Sequence, residues 1–170
     1  MAEATLLVPF IQKWEGGWVD DPNDHGGATM KGITLATFGA FLKSKEQPAP
    51  SKDDLRNISE DEWSDVFKTL YWDKWKADEI ENQSVANILV DWVWASGIWG
   101  IKIPQRILQV VDDGIVGEKT ITKLNSVDQA SLFEDIQKAR QKFVTDIAER
   151  DPSQNKFING WLNRINAFTF

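Results

Sequence analysis

The sequence predicts a mainly α-helical fold with one small β-hairpin, and three observations carry that expectation. Apolar residues recur at helical spacing along much of the chain, as Leu7, Phe10, Ile11 and Trp14 do, and again Trp63, Val66, Phe67 and Leu70. Ser51-x-x-Asp54 and Ser59-x-x-Glu62 are capping-box patterns, each pairing a hydroxyl with an acid three residues on at a helix start. A single stretch, residues 14–34, crowds glycines, a proline, aspartates and an asparagine into one place, which is turn and hairpin chemistry.

Taken in order, residues 4–15 read as the first helix, with one apolar face. Gly16-Gly17 is expected to stop it by taking the left-handed conformation at little cost. Residues 16–33 form the loop or hairpin, and Thr34 caps a second helix through Phe38, Phe41 and Leu42. Residues 44–50 read as an exposed loop. The Ser59 box opens a helix that runs into Tyr71-Trp72-Asp73, where core packing is the plainer reading of the two aromatic rings. Ser84 is expected to cap a helix over residues 85–96 that is apolar nearly all round and therefore central. Asp91 lies inside it, and a carboxylate in such a setting needs a partner: an arginine, a neighbouring helix end or the floor of a cleft, with structural pairing preferred.

Trp99-Gly100 is expected to break the chain, with Pro104 in the first turn of a helix over 101–111. Asp112-Asp113-Gly114 to Thr120 is a glycine turn before a further helix. A longer helix follows, with Leu132, Phe133, Ile136, Phe143, Val144 and Ile147 on one side, and Pro152 ends it. The last helix carries Phe157, Trp161, Leu162, Ile165 and Phe168, and its Arg164 is a candidate partner for Asp91.

Composition bounds the function. The chain of 170 residues suits one domain or one domain with a small appended lobe, and is long enough to bury a core without staples. A net charge of −7 disfavours nonspecific nucleic-acid binding. No apolar stretch approaches the roughly 18 residues needed to span a bilayer, so no stable membrane insertion is expected. No signal peptide is recognisable at the N-terminus. With one histidine and no cysteine, a zinc site would be nearly all carboxylate. A calcium loop starting at Asp21 fails because His25 and Gly32 stand where oxygen ligands belong. No Gly-x-Ser-x-Gly elbow accompanies the histidine. No metal and no cofactor is expected. Nine tryptophans offer indole faces suited both to a core and to stacking on sugar rings.

The chemistry concentrates in 14–34. Glu15 falls at a helix C-terminus, where unpaired carbonyls disfavour a second negative charge, and Trp14 and Trp18 beside it would add partial burial. Both effects favour the protonated carboxyl that a general acid needs. Asp24 lies nine residues on in the loop. Two opposed carboxyls are the minimal equipment for cleaving a glycosidic bond: one protonates the leaving oxygen, the other activates water or stabilises the sugar cation.

Glu15-Gly16-Gly17-Trp18, then Asn23-Asp24-x-Gly26-Gly27-Ala28-Thr29 and Gly32-Ile33-Thr34, resembles the glycoside hydrolase family 108 N-acetylmuramidases, phage-type lysins also known as secretion-activator proteins. The Glu, Asp, Thr order is similar to phage lysozymes. The elements at 71–73, 112–120 and 160–164 extend the resemblance over nearly the whole chain, and the C-terminal part looks like the predicted peptidoglycan domain fused to this family. The resemblance implies a lysozyme-like fold with the hairpin at an active-site cleft. It implies a catalytic lobe at 1–97 with a helical peptidoglycan-binding lobe at 98–170. The implied activity is hydrolysis of the β-1,4 bond between N-acetylmuramic acid and N-acetylglucosamine. Glu15 matches the catalytic acid, Asp24 the second carboxylate and Thr29 the water-placing threonine. Trp18, Tyr71, Asp91 and Trp94 are the candidate substrate contacts. Ala95 stands where the family has asparagine.

The implied partner is a peptidoglycan glycan strand, met by a monomer made in the cytoplasm and acting at the cell wall or periplasm. The acidic chain has no electrostatic attraction to an anionic wall, so affinity must come from a specific groove. Two readings compete with the enzyme: a non-catalytic wall-binding or envelope factor that keeps the fold, and a helical adaptor, which leaves 14–34 without a purpose.

Overall fold

A computed structural model describes residues 1–23 and 26–170. Its chain gathers into two compact units, Ala4–Leu70 and Met1–Glu3 with Tyr71–Phe170. Helices dominate both, and one three-stranded antiparallel sheet accompanies them.

In the first unit the expected single helix over 4–15 is divided. A 3-10 turn covers Ala4–Leu6, and helix α1 (Val8–Trp14) starts with Pro9 in its first turn, where no amide donor is required. Helix α1 ends at the carboxylate rather than at the glycine pair. Glu15 turns to an extended backbone (φ −95°, ψ 148°) while its N–H still donates to the Ile11 carbonyl. Gly16 and Gly17 do not take the left-handed conformation expected of them.

The hairpin expected over 16–33 is a three-stranded meander: β1 (Trp18–Val19), β2 (Thr29–Met30) and β3 (Ile33–Thr34). Lys31 and Gly32 join the last two strands with positive φ at both positions (47° and 82°). Such turns match the right-handed twist of the strands, and glycine takes the second position without strain.

Thr34 caps α2 (Leu35–Ser44) as expected, its hydroxyl accepting from the Thr37 amide at 3.0 Å. Both capping boxes form, Ser51 with Asp54 at α3 (Lys52–Arg56) and Ser59 with Glu62 at α4 (Glu60–Phe67). Each cap contributes about 1 kcal/mol. Trp63, Val66 and Phe67 are fully buried on α4, which continues as one wide π-helical turn over Lys68–Trp72.

The second unit is built on α5 (Gln83–Ser96), with residues 85–93 buried apart from part-exposed Asn87. Asn82, two residues before the expected Ser84, is its cap, accepting from the Val85 amide at 3.0 Å. Gly97, at φ 59°, ends α5. The break expected at Trp99-Gly100 is instead the first turn of α6 (Trp99–Ile107). A Cβ at Gly100 would lie 2.5 Å from the Val93 amide nitrogen and 2.6 Å from the Trp92 carbonyl carbon, so glycine lets α6 cross α5 in backbone contact.

Pro104 is in the interior of α6 and cannot donate to the Gly100 carbonyl. The buried Trp75 indole N–H donates to that oxygen instead, at 3.1 Å. Helices α7 (Glu118–Ser126), α8 (Gln129–Arg150) and α9 (Asn155–Asn166) complete the unit, with α8 packed on both α5 and α9. Among the described residues no helix is long and apolar enough to cross a membrane.

Candidate active site

Glu15 is half-buried at the point where α1 gives way to extended chain. Two residues on, the Gly17 carbonyl accepts from the Lys31 amide at 3.3 Å, and the Leu35 amide donates to Ala28 at 3.0 Å. These bonds close the sheet just beyond the carboxylate. Asp24, the expected second carboxylate, and His25 lie outside the described residues. The flanking loop is held by the Asn23 amide on Asp21 Oδ1 (2.9 Å) and by a Lys52–Asp20 ion pair (3.0 Å).

Strand register separates two of the candidates. Val19, Thr29 and Thr34 are cross-strand partners, as are Trp18, Met30 and Ile33. Directly opposed residues share a face and neighbours along a strand alternate, so Thr29 and Trp18 project from opposite faces of the sheet. The Arg56 guanidinium lies over the Trp18 ring, 5.7 Å from its centre.

A link that sequence reasoning missed ties the Glu15 helix to the strand turn. Gln12, one turn before Glu15, donates to Glu60 at 2.8 Å, and the Lys31 ammonium pairs with the same carboxylate. The Lys31 hydrogen bond, helped by Gln12, holds the Glu60 carboxyl below its ordinary pKa. The buried Trp63 indole adds a bond to the Lys31 carbonyl at 3.2 Å. Three separate helices and turns supply these groups, and no local motif announces them. Among the described residues the buried Trp14 indole N–H has no hydrogen-bond partner.

Tyr71, Asp91 and Trp94 belong to the other compact unit. Tyr71 and Trp94 are both half-buried, with ring centres 4.7 Å apart and planes tilted by 56°. Asp91 is 0% exposed. Arg164, the candidate partner, donates to Asp91 Oδ1 at 2.6 Å, and Arg140 of α8 donates to Oδ2 at 2.7 Å. Burial pulls the Arg140 guanidinium below its ordinary pKa, and Asp91 opposes that pull. The triad ties α5, α8 and α9 together. Ala95 is exposed one residue after Trp94. Among the described residues no three potential metal-ligating acids or histidines gather.

Comparison with known proteins gives one reading for each part of the chain. Residues 8–97 match the family model described as Glycosyl hydrolase 108, and residues 99–166 match the one described as Predicted Peptidoglycan domain. The structure of Brucella abortus SagA is similar over 97% of this chain and 94% of that chain, with a TM-score of 0.73 and 25% sequence identity. Among curated proteins, none matches.

Proposed function

The chain belongs to the glycosyl hydrolase 108 family, and from that premise we propose that it is an N-acetylmuramidase, cleaving the β-1,4 bond after N-acetylmuramic acid in peptidoglycan. The observation that carries this reading is the placement of Glu15. Helix α1 stops on this residue, which is part-exposed and three residues before the first strand of the sheet that carries Thr29.

In this mechanism Glu15 donates its proton to the glycosidic oxygen as the bond to the sugar carbon breaks. Asp24 stabilises the oxocarbenium ion or activates the incoming water, and Thr29 helps to place that water. The proton balance closes when water delivers a hydroxyl to the sugar and its proton to a carboxylate. Trp18, Tyr71 and Trp94 offer aromatic faces to sugar rings. Asp91, enclosed by two guanidinium groups, acts by holding the helix that carries Trp94. Residues 1–97 work as the catalytic lobe and 98–170 as the wall-binding lobe, at the bacterial cell wall or periplasm.

A second reading, a non-catalytic glycan-binding factor, draws on one observation: exposed Ala95 takes the place of the family's asparagine. Digestion of purified peptidoglycan separates the two. New reducing ends on muramic acid, identified by mass spectrometry, are the expected result. Reducing ends on glucosamine would contradict the bond assignment, and glycan binding without any new ends would favour the binding factor.

A further inference from the structure

Lys31 stands at the turn between β2 and β3, and each of its polar groups is engaged. Its N–H donates to the Gly17 carbonyl at 3.3 Å, its carbonyl accepts from the buried Trp63 indole at 3.2 Å, and its ammonium pairs with Glu60. Turns with positive φ at both central positions favour asparagine, aspartate or glycine at the first. Lysine holds that place here at φ 47°, a conformation that costs a non-glycine residue energy and persists where the surroundings fix it.

These bonds bracket Glu15 from both sides. Three residues before it, Gln12 on α1 donates to Glu60 Oε2 at 2.8 Å, while Lys31 takes Oε1 of the same carboxylate. Two residues after it, Gly17 accepts from the Lys31 amide. Both flanks of the acid therefore run back to Lys31, which follows strand β2 directly and lies two positions from Thr29. The far side of the link is firm. Glu60 is the first residue of α4, whose Trp63 and Phe67 are buried and stacked with ring centres 5.6 Å apart. The Glu60 side chain is 61% exposed, and an exposed ion pair contributes little to stability. What the pair does fix is the spacing between two segments.

We propose that Lys31 and Glu60 are positioning residues for the hydrolysis, a pair that holds the segment bearing Glu15 at a set distance from the strand bearing Thr29. They act through those two residues and need no contact with the sugar. Loss of the pair leaves glycan binding in place and lets the acid drift from the glycosidic oxygen. A misplacement of about 1 Å at a reacting group costs on the order of a hundredfold in rate. The assignment rests on the muramidase reading above and adds the groups that set its geometry.

The test measures kcat and KM for release of muramic acid reducing ends from solubilised glycan strands, using the full chain, Glu60→Ala, Lys31→Met and the two changes together. Each single change should lower kcat about tenfold, part of the loss expected for a misplaced acid, and leave KM nearly unchanged. The double variant should fall no further than the worse single one, because groups that act as a unit are not additive. Gln12→Leu keeps the ion pair but cuts it from α1, and should lower kcat in the same way. Amide hydrogen exchange supplies a readout apart from turnover: the Glu15 and Lys31 amides should exchange faster in Glu60→Ala, while those of α2 hold. An unchanged kcat, a loss in KM alone, losses that multiply in the double variant, or unchanged exchange at both amides would each overturn the pair. A wild type that releases no reducing ends would remove the muramidase reading and this assignment with it, whereas an active wild type with unaffected variants rejects the positioning pair alone.

Discussion

Two carboxylates in this chain are held in opposite ways. Asp91 sits in the middle of α5, 0% exposed, with Arg140 donating to Oδ2 and Arg164 to both oxygens. Glu15 sits at the end of α1, half-buried, with its backbone already extended. The first is enclosed by long-range partners from α8 and α9, so its chemistry is spent inside the fold. The second is set at an element boundary, three residues before strand β1, and keeps part of its surface in solvent. A buried charge needs partners that fix it, whereas a proton donor needs a surface from which to act.

The comparison breaks first at Asp91. Asp91→Ala leaves two buried guanidinium groups without their anion and should cost about 3–5 kcal/mol, read from chemical denaturation. A loss below about 1 kcal/mol would mean the triad is not what ties α5 to α8 and α9. Gly100→Ala should come next, at about 1–3 kcal/mol, because its methyl would drive into the α5 backbone. Thr34→Ala removes the α2 cap and should cost about 1 kcal/mol.

The smallest effect is acid-dependent. Glu60 is held below its ordinary value of 4.5 by Lys31, and Asp54 below its 3.8 by the Ser51 amide and hydroxyl. A group whose folded pKa is lowered stabilises above its unfolded value and loses that contribution as the pH falls through the folded one. Both side chains are exposed, so the effect is a shallow decline below the ordinary values. Glu60→Gln should flatten part of it in urea midpoints measured against pH. An unchanged acid limb would show that the Gln12–Glu60–Lys31 link carries no stability.

Much of the fold was legible because its signals are local. Thr34, Ser51 and Ser59 cap as their sequence neighbours announce, and the apolar face of α4 buries Trp63, Val66 and Phe67. The errors also have local causes. Asn82 and Ser84 are both good caps two residues apart, and only the fold chooses between them. Trp99-Gly100 looks like a break because glycine in a helix normally weakens it; here the missing Cβ serves a helix crossing that no local pattern reveals. Pro104 is tolerated inside α6 because Trp75, far away in sequence, takes over the orphaned carbonyl.

The site divides in the same way. Glu15 at the end of α1 was legible from the glycine pair that follows it, though the residue that turns is Glu15 itself. Arg164 was named as a partner for Asp91, and Arg140 was not, since it lies on the buried side of a helix whose other face is charged. The Gln12–Glu60–Lys31 link joins residues up to 48 positions apart and left no trace in the sequence. Asp24 lies outside the described residues, so its carboxylate remains an expectation from the motif.

The measurement that tests the account most directly compares wild type, Glu15→Gln and Asp91→Asn for release of muramic acid reducing ends from purified peptidoglycan, alongside their melting temperatures. Glu15→Gln should melt with wild type and lose activity by at least about a hundredfold, the lower range for a general acid. Asp91→Asn should melt well below both. Wild-type activity in Glu15→Gln would contradict the assignment of Glu15 as proton donor, and with it the division between a carboxylate presented for chemistry and one locked for stability.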